Sequence, residues 1–345
     1  MGKTQSKEIV RDLKLEVKPV KDCSESGLVG GSMTHLALKD HSSYLIGTVF
    51  RGLKLIENGA QVYSANLPEE NNFFFDIYYV PPPLNYYLLI FKDQIFRKDI
   101  NHKPPYLFMK LACCSRWGAS LRYSKLLQRL IIRKDFNKIS VINLKTRKLE
   151  IQCKKDIGQE IADFRLFGEK DNRVISVTRD GYILLYNLDF DKKRGVVGHY
   201  RIEVMSERTE EAISVALCEK SEYVFVELGN HDLETTYSCR FLVLKMSSNT
   251  FVKEAIIEQN QRPGQKTLFE PFRYVGNHIL CVGLSKIHGA AQLFDYDVET
   301  KEFKEIEQKR VSHRESWPLK LCRFGHTFYY TGKRAKLMCL NVKIN

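Results

Sequence analysis

Along this chain, runs of apolar and β-branched residues come in pairs, each pair split by a short polar turn. The clearest pair is Val174–Asp189 (VISVTRDGYILLYNLD), with Asp180-Gly181 between its two runs. Asp-Gly in that setting predicts a tight hairpin with a type I′ turn, in which both central residues take φ > 0. Six further stretches fit the same template: 44–60, 86–100, 130–147, 223–246, 278–302 and 326–342. Their turns fall near Arg51, Lys92, Asp135, Asn230, Ser285 and Lys333, so that neighbouring turns lie 41 to 55 residues apart.

Short runs rich in β-branched and aromatic residues flank the hairpins and supply two more strands for each. Examples are 161–168 and 195–204 around the first hairpin, 119–125 with 148–153, and 268–276 with 302–309. Four strands recurring at this period make the blade of a β-propeller, and seven hairpins make seven blades. The last blade, with one strand at Trp317–Gly325 ahead of its hairpin, is one strand short. Asp12–Lys18 can supply the missing strand, because its alternation puts Leu13, Leu15 and Val17 on one face and charges on the other. The expected architecture is all-β: a seven-bladed propeller over 12–345, closed by residues 12–18, behind a flexible tail at 1–11.

The hairpin, its period and the endings Asn143–Thr146 (NLKT) and Asp297–Thr300 (DVET) resemble the WD-repeat superfamily. The superfamily's Trp-Asp pair is absent, since Trp117 precedes Gly118 and Trp317 precedes Pro318. The resemblance implies a propeller that binds other proteins. A phosphoinositide-binding propeller class is a further alternative. Its Phe-Arg-Arg-Gly motif is reduced here to Phe50-Arg51-Gly52, and it lies in the first blade.

Composition changes the picture in three places. Nine cysteines are scattered without a C-x-x-C pair, which fits reduced thiols rather than a disulfide framework or a metal site. No apolar run approaches a membrane span, and residues 1–17 are too polar for a secretory signal. The net charge of +13 is concentrated: residues 115–155 hold twelve bases against Asp135 and Glu150. A field so localised favours an anionic partner, either membrane lipid or an acidic protein. The candidate contacts are Arg122, Lys125, Arg129, Arg133, Lys134, Lys145, Arg147, Lys148, Lys154 and Lys155. Nucleic acid is disfavoured because no interleaved aromatics or readable module accompany them.

Met1-Gly2-Lys3-Thr4-Gln5-Ser6 matches the acceptor pattern for N-myristoylation at Gly2. One acyl chain anchors only marginally, and six bases against three acids in residues 1–21 add a second attraction to an anionic leaflet. Acids gather around the fifth blade, at Glu203, Glu207, Glu210, Glu211, Glu219, Glu222, Glu227, Asp232 and Glu234. The long turns near Asn230, His231 and Asp232, and near Lys286 and His288, are candidate protein-binding loops. No catalytic, nucleotide-binding or metal motif is present, and no cofactor or small-molecule substrate is expected. The sequence thus points to a non-catalytic scaffold at a cytoplasmic membrane face, with a subunit of a cytoskeletal, ciliary or coat-like assembly as the alternative.

Overall fold

The computed structural model describes residues 13–20, 33–48, 52–66, 76–91, 94–110, 121–124, 128–134, 138–154, 160–168, 172–188, 195–203, 205, 210–218, 222–230, 239–259, 267–285, 290–311, 317–318, 321–331 and 337–344. Among them every regular element is a β-strand. β1 is Leu13–Pro19. Blade 1 holds β2 (Met33–Leu38), β3 (Tyr44–Thr48), β4 (Gly52–Glu57) and β5 (Ala60–Asn66). Blade 2 holds β6 (Asp76–Val80), β7 (Tyr86–Ile90), β8 (Gln94–Asp99) and β9 (Tyr106–Lys110). Blade 3 holds β10 (Leu121–Ser124), β11 (Arg129–Lys134), β12 (Lys138–Asn143) and β13 (Lys148–Lys154). Blade 4 holds β14 (Ile161–Phe167), β15 (Arg173–Thr178), β16 (Tyr182–Asn187) and β17 (Gly195–Arg201). Blade 5 holds β18 (Glu210–Leu217), β19 (Tyr223–Asn230), β20 (Cys239–Ser247) and β21 (Thr250–Gln259). Blade 6 holds β22 (Thr267–Val275), β23 (His278–Ser285), β24 (Ala290–Asp297) and β25 (Phe303–Arg310). The chain ends in β26 (Trp317–Pro318), β27 (Cys322–Phe324), β28 (Thr327–Thr331) and β29 (Leu337–Ile344).

In blades 2 to 6 the order across the sheet is the order along the chain. The expected hairpins are the second and third strands of every sheet, as in Val174 opposite Tyr186 and Ile131 opposite Val141. In blade 4 these middle strands read as apolar runs because both their faces are covered: Ile175, Val177, Ile183, Leu184, Leu185 and Tyr186 are fully buried. An outer strand such as β25 is mostly exposed and reads as charged.

Packing divides the chain into two compact units. The first includes Ser120–Gly283 and Leu293–Glu305. Within it the first strand of each sheet packs on the first strand of the next, β10 on β14, β14 on β18 and β18 on β22. Apolar cores fill the space between sheets, such as Ile131, Phe164 and Tyr186, or Phe225, Phe241, Ile279 and Phe294. The turn after β20 lies over blade 4, where a Cβ on Gly198 would stand 2.2 Å from the Asn249 carbonyl oxygen. Arg173 donates to Ser248 O at 2.6 Å and to Asn249 Oδ1 at 2.8 Å there.

The second unit includes Glu8–Ala119, Leu284–Gln292 and Ile306–Asn345. β2 packs on β6 and β27, with Leu45, Leu55, Ile77 and Tyr87 in one core and Leu36, Ile46, Tyr329 and Leu337 in another. The closing strand is where the alternation placed it. β1 pairs antiparallel with β29 from Leu13↔Ile344 to Pro19↔Met338 and completes the sheet β1-β29-β28-β27. Leu13 and Leu15 are buried, Val17 is half-buried, and Lys14 and Lys18 are exposed. Glu16 pairs with Lys18 at 2.6 Å and Lys343 at 2.5 Å, and these two ammonium groups pull its carboxyl down to about 2. The amide of Leu15 donates to Glu307 Oε2 from β25, which occupies one donor on the outer edge of the sheet.

Two local expectations are corrected. Asp180-Gly181 is not a type I′ turn: Gly181 has φ +86° and Asp180 does not share the left-handed region. The Gly181 amide donates to Thr178 O at 2.9 Å, so Arg179-Asp180 form the turn and Gly181 follows it. The wider turn frees Arg179 to reach Glu211 at 2.7 Å and Glu160 at 3.3 Å. A left-handed pair of the expected kind occurs instead at Asn58 (φ 51°) and Gly59 (φ 79°). The stretch Trp317–Gly325 is not one strand either. β26 pairs parallel with β2 in blade 1, whereas β27 pairs with β28. Pro318 lacks the amide a continuing ladder needs, and the chain changes sheets beyond it.

Candidate interaction surface

Blade 3 sorts its cations by strand. Arg122, on the first strand, donates to Asp163 Oδ1 at 3.0 Å, and Arg165 reaches the same buried carboxylate at 2.9 Å. The Val215 amide adds a third donor at 3.3 Å. A buried carboxylate needs such partners, since stripped of them it would be strongly destabilising. Arg129 is held by Glu150 at 2.6 Å. Both residues therefore work inside the fold. Arg133 and Lys134 occupy the end of β11, and Lys154 the end of β13. Lys125 and Lys155 lie outside the described residues, as do Gly2, His231, Asp232, Lys286 and His288, while Asn230 is the last residue of β19.

What remains is the turn between β12 and β13, where Lys145, Thr146, Arg147 and Lys148 are all exposed. Its shape is set by Asn143, whose Oδ1 accepts the amides of Lys145 at 2.9 Å and Thr146 at 3.0 Å. Its Nδ2 donates to Glu150, the carboxylate that also holds Arg129. Arg147 then takes the left-handed conformation, φ 57°. Asx turns of this kind compete with the strand ladder and end it. Lys145 and Lys148 pair with no carboxylate among the described residues. Leu149, next along, is 50% exposed.

The same device recurs between β24 and β25. Asp297 Oδ1 accepts the amides of Glu299 at 2.9 Å and Thr300 at 3.1 Å, and Lys301 is left-handed with φ 59°. Burial pushes the Asp297 carboxyl up, but the two amides and nearby His278 outweigh it and hold the group below the ordinary aspartate value. Here the turn carries Glu299 and Glu302, and Lys301 is tied to Glu254 at 3.2 Å. The residue matching Leu149 is Phe303, stacked on Phe294 at 4.9 Å and packed on the core of this sheet.

Several of the described acids around blade 5 are engaged within the fold, while Glu207, Glu219 and Glu234 lie outside the described residues. Glu210 pairs with Arg240, Glu211 with Arg179, and buried Glu227 accepts from Ser214 at 2.7 Å. Buried His278 and Asp295 meet at 2.9 Å, with burial raising the aspartate despite the histidine beside it. Cys218, Cys281, Cys322 and Cys339 are free thiols, and burial pushes Cys281 well up. Among the described residues no group of three His, Cys, Asp or Glu side chains could hold a metal ion, and no helix is long and apolar enough to cross a membrane.

No protein-family model matches the sequence, and no curated protein sequence does. Solved structures match by shape. The β-propeller domain of Nup133 from Vanderwaltozyma polyspora superposes with a TM-score of 0.69 at 12% identity, over 96% of this chain and 98% of that one. Raptor from Chaetomium thermophilum gives 0.65 at 9% identity over 100% of this chain, which spans 30% of the Raptor chain. BBS1N, solved in complex with ARL6DN, gives 0.59 at 13% identity over 95% of each chain. The chain has the fold of a seven-bladed β-propeller. That likeness extends to architecture.

Proposed function

We propose that this propeller is a non-catalytic docking platform that brings protein partners to a cytoplasmic membrane face. The observation that carries the reading is the pair of outer turns in one unit, built alike and charged oppositely. Such surfaces steer and orient partners of opposite potential. Blade 3 meets an anionic partner through Lys145, Arg147 and Lys148, and the turns after Asn230 and around Lys286 and His288 engage protein. An acyl chain on Gly2 holds the assembly at the membrane. One structural neighbour, BBS1N, was solved bound to another protein, which supports protein binding as the work of such a surface.

The test is recovery of the protein from its native cells, wild type beside Lys145→Glu/Arg147→Glu/Lys148→Glu, with bound proteins and lipids quantified. Loss of a defined set of partners with the fold intact is expected; an unchanged set removes blade 3 from the reading. Intact mass showing Met1 lost and a myristoyl group gained tests the tether. If Gly2→Ala leaves membrane recovery unchanged, the alternative gains: a structural propeller subunit of a cytoskeletal, ciliary or coat-like assembly.

A further inference from the structure

Three features stand together at the β12–β13 turn. It joins the third and fourth strands of its sheet. It displays three exposed cations, Lys145, Arg147 and Lys148, on a backbone already fixed by Asn143 and Glu150. It leaves Leu149 half out of the protein, at the position where the matching turn of blade 6 packs Phe303 inward.

We infer that this turn docks directly on an anionic lipid bilayer, its cations among the head groups and Leu149 entering the acyl boundary. The inference rests on the reading that blade 3 takes an anionic partner, and it names that partner's chemistry. An exposed leucine beside the cations suits a bilayer, which has an apolar layer beneath its charge, better than an acidic peptide that offers charge alone. Charge and an adjacent apolar side chain acting together are also what a weak interfacial anchor requires. The turn needs no ordering on contact, because the Asx bonds and the Glu150 bridge to Arg129 hold it in the free protein.

The experiment uses the full chain carrying Gly2→Ala, so that acylation plays no part. It measures sedimentation with vesicles of phosphatidylcholine alone and with about a third phosphatidylserine. Each cation at an anionic surface is worth about fivefold in affinity, so Lys145→Glu/Arg147→Glu/Lys148→Glu should weaken binding by about a hundredfold or more. Leu149→Ser should weaken it by about fivefold, and added salt should weaken both the parent and Leu149→Ser. Binding that survives the triple reversal overturns the inference, because the site is then elsewhere. Binding lost in the triple variant but untouched by Leu149→Ser overturns the insertion. If the parent ignores anionic vesicles yet binds polyglutamate through the same three residues, the lipid assignment falls and the anionic-partner reading stands. If it binds neither, both fall. Unchanged thermal unfolding of each variant excludes misfolding as the cause.

Discussion

At Asn143 and at Asp297 a side-chain oxygen collects the amides two and three residues further on, and the fourth residue on, Arg147 or Lys301, turns left-handed. From that common frame the two turns diverge. Blade 3 shows three cations and a half-exposed leucine, while blade 6 shows Glu299 and a Lys304-paired Glu302 around an ion-paired lysine and packs a partly buried phenylalanine against its core. The backbone device fixes where side chains are displayed and leaves their chemistry open. A repeat protein can therefore keep one unit's geometry and change what each unit meets.

Exchanging residues 144–148 with 298–302 is the strongest way to break the comparison. Affinity of blade 3 for an anionic surface should fall by about a hundredfold, and blade 6 should recover only part of it, because Phe303 stays packed; vesicle sedimentation reads both. Phe303→Ala should cost about 2–3 kcal/mol in chemical denaturation, against less than about 0.5 kcal/mol for Leu149→Ala. Equal costs would mean that the two positions are not packed differently. Asn143→Ala and Asp297→Ala should each cost about 1–2 kcal/mol.

The two turns should also part company in acid. The folded Asp297 carboxyl lies below its unfolded value, so its contribution is complete above the ordinary aspartate pKa of 3.8 and is lost as pH falls through the lowered folded value. Hydrogen exchange should show Glu299 and Thr300 amides losing protection there, while the amides on Asn143 keep theirs. The smallest effect is expected from Arg147→Gly, a gain of up to about 0.5 kcal/mol from relief at a left-handed position, offset in part by chain entropy.

The hairpins were legible in the sequence because strands such as β7 and β16 are covered on both faces and read as apolar runs. β1 was legible because one face of it is covered and the other is wet. The Trp317–Gly325 stretch was misjudged as one strand because composition does not reveal which sheet a residue joins. The Asp180-Gly181 turn was misjudged because Asp-Gly also suits a wider turn when its first residue, Arg179, has Glu160 and Glu211 to reach. The charge census located blade 3 but could not sort its members. The partner of Arg122 lies 41 residues away, at Asp163. The Asn-Leu-Lys-Thr and Asp-Val-Glu-Thr endings were visible as a likeness, and their opposite sign was there to be read. That Leu149 stays out while Phe303 goes in required the packed sheets.

Leu13 sits opposite Ile344, so the earliest-made strand of the fold waits for the latest. At about 5–20 residues per second, some 330 residues of synthesis take roughly twenty seconds to a minute. Throughout that interval a sticky ribbon with Leu13, Leu15 and Val17 along one side has no mate, and chaperones have their chance to hold it.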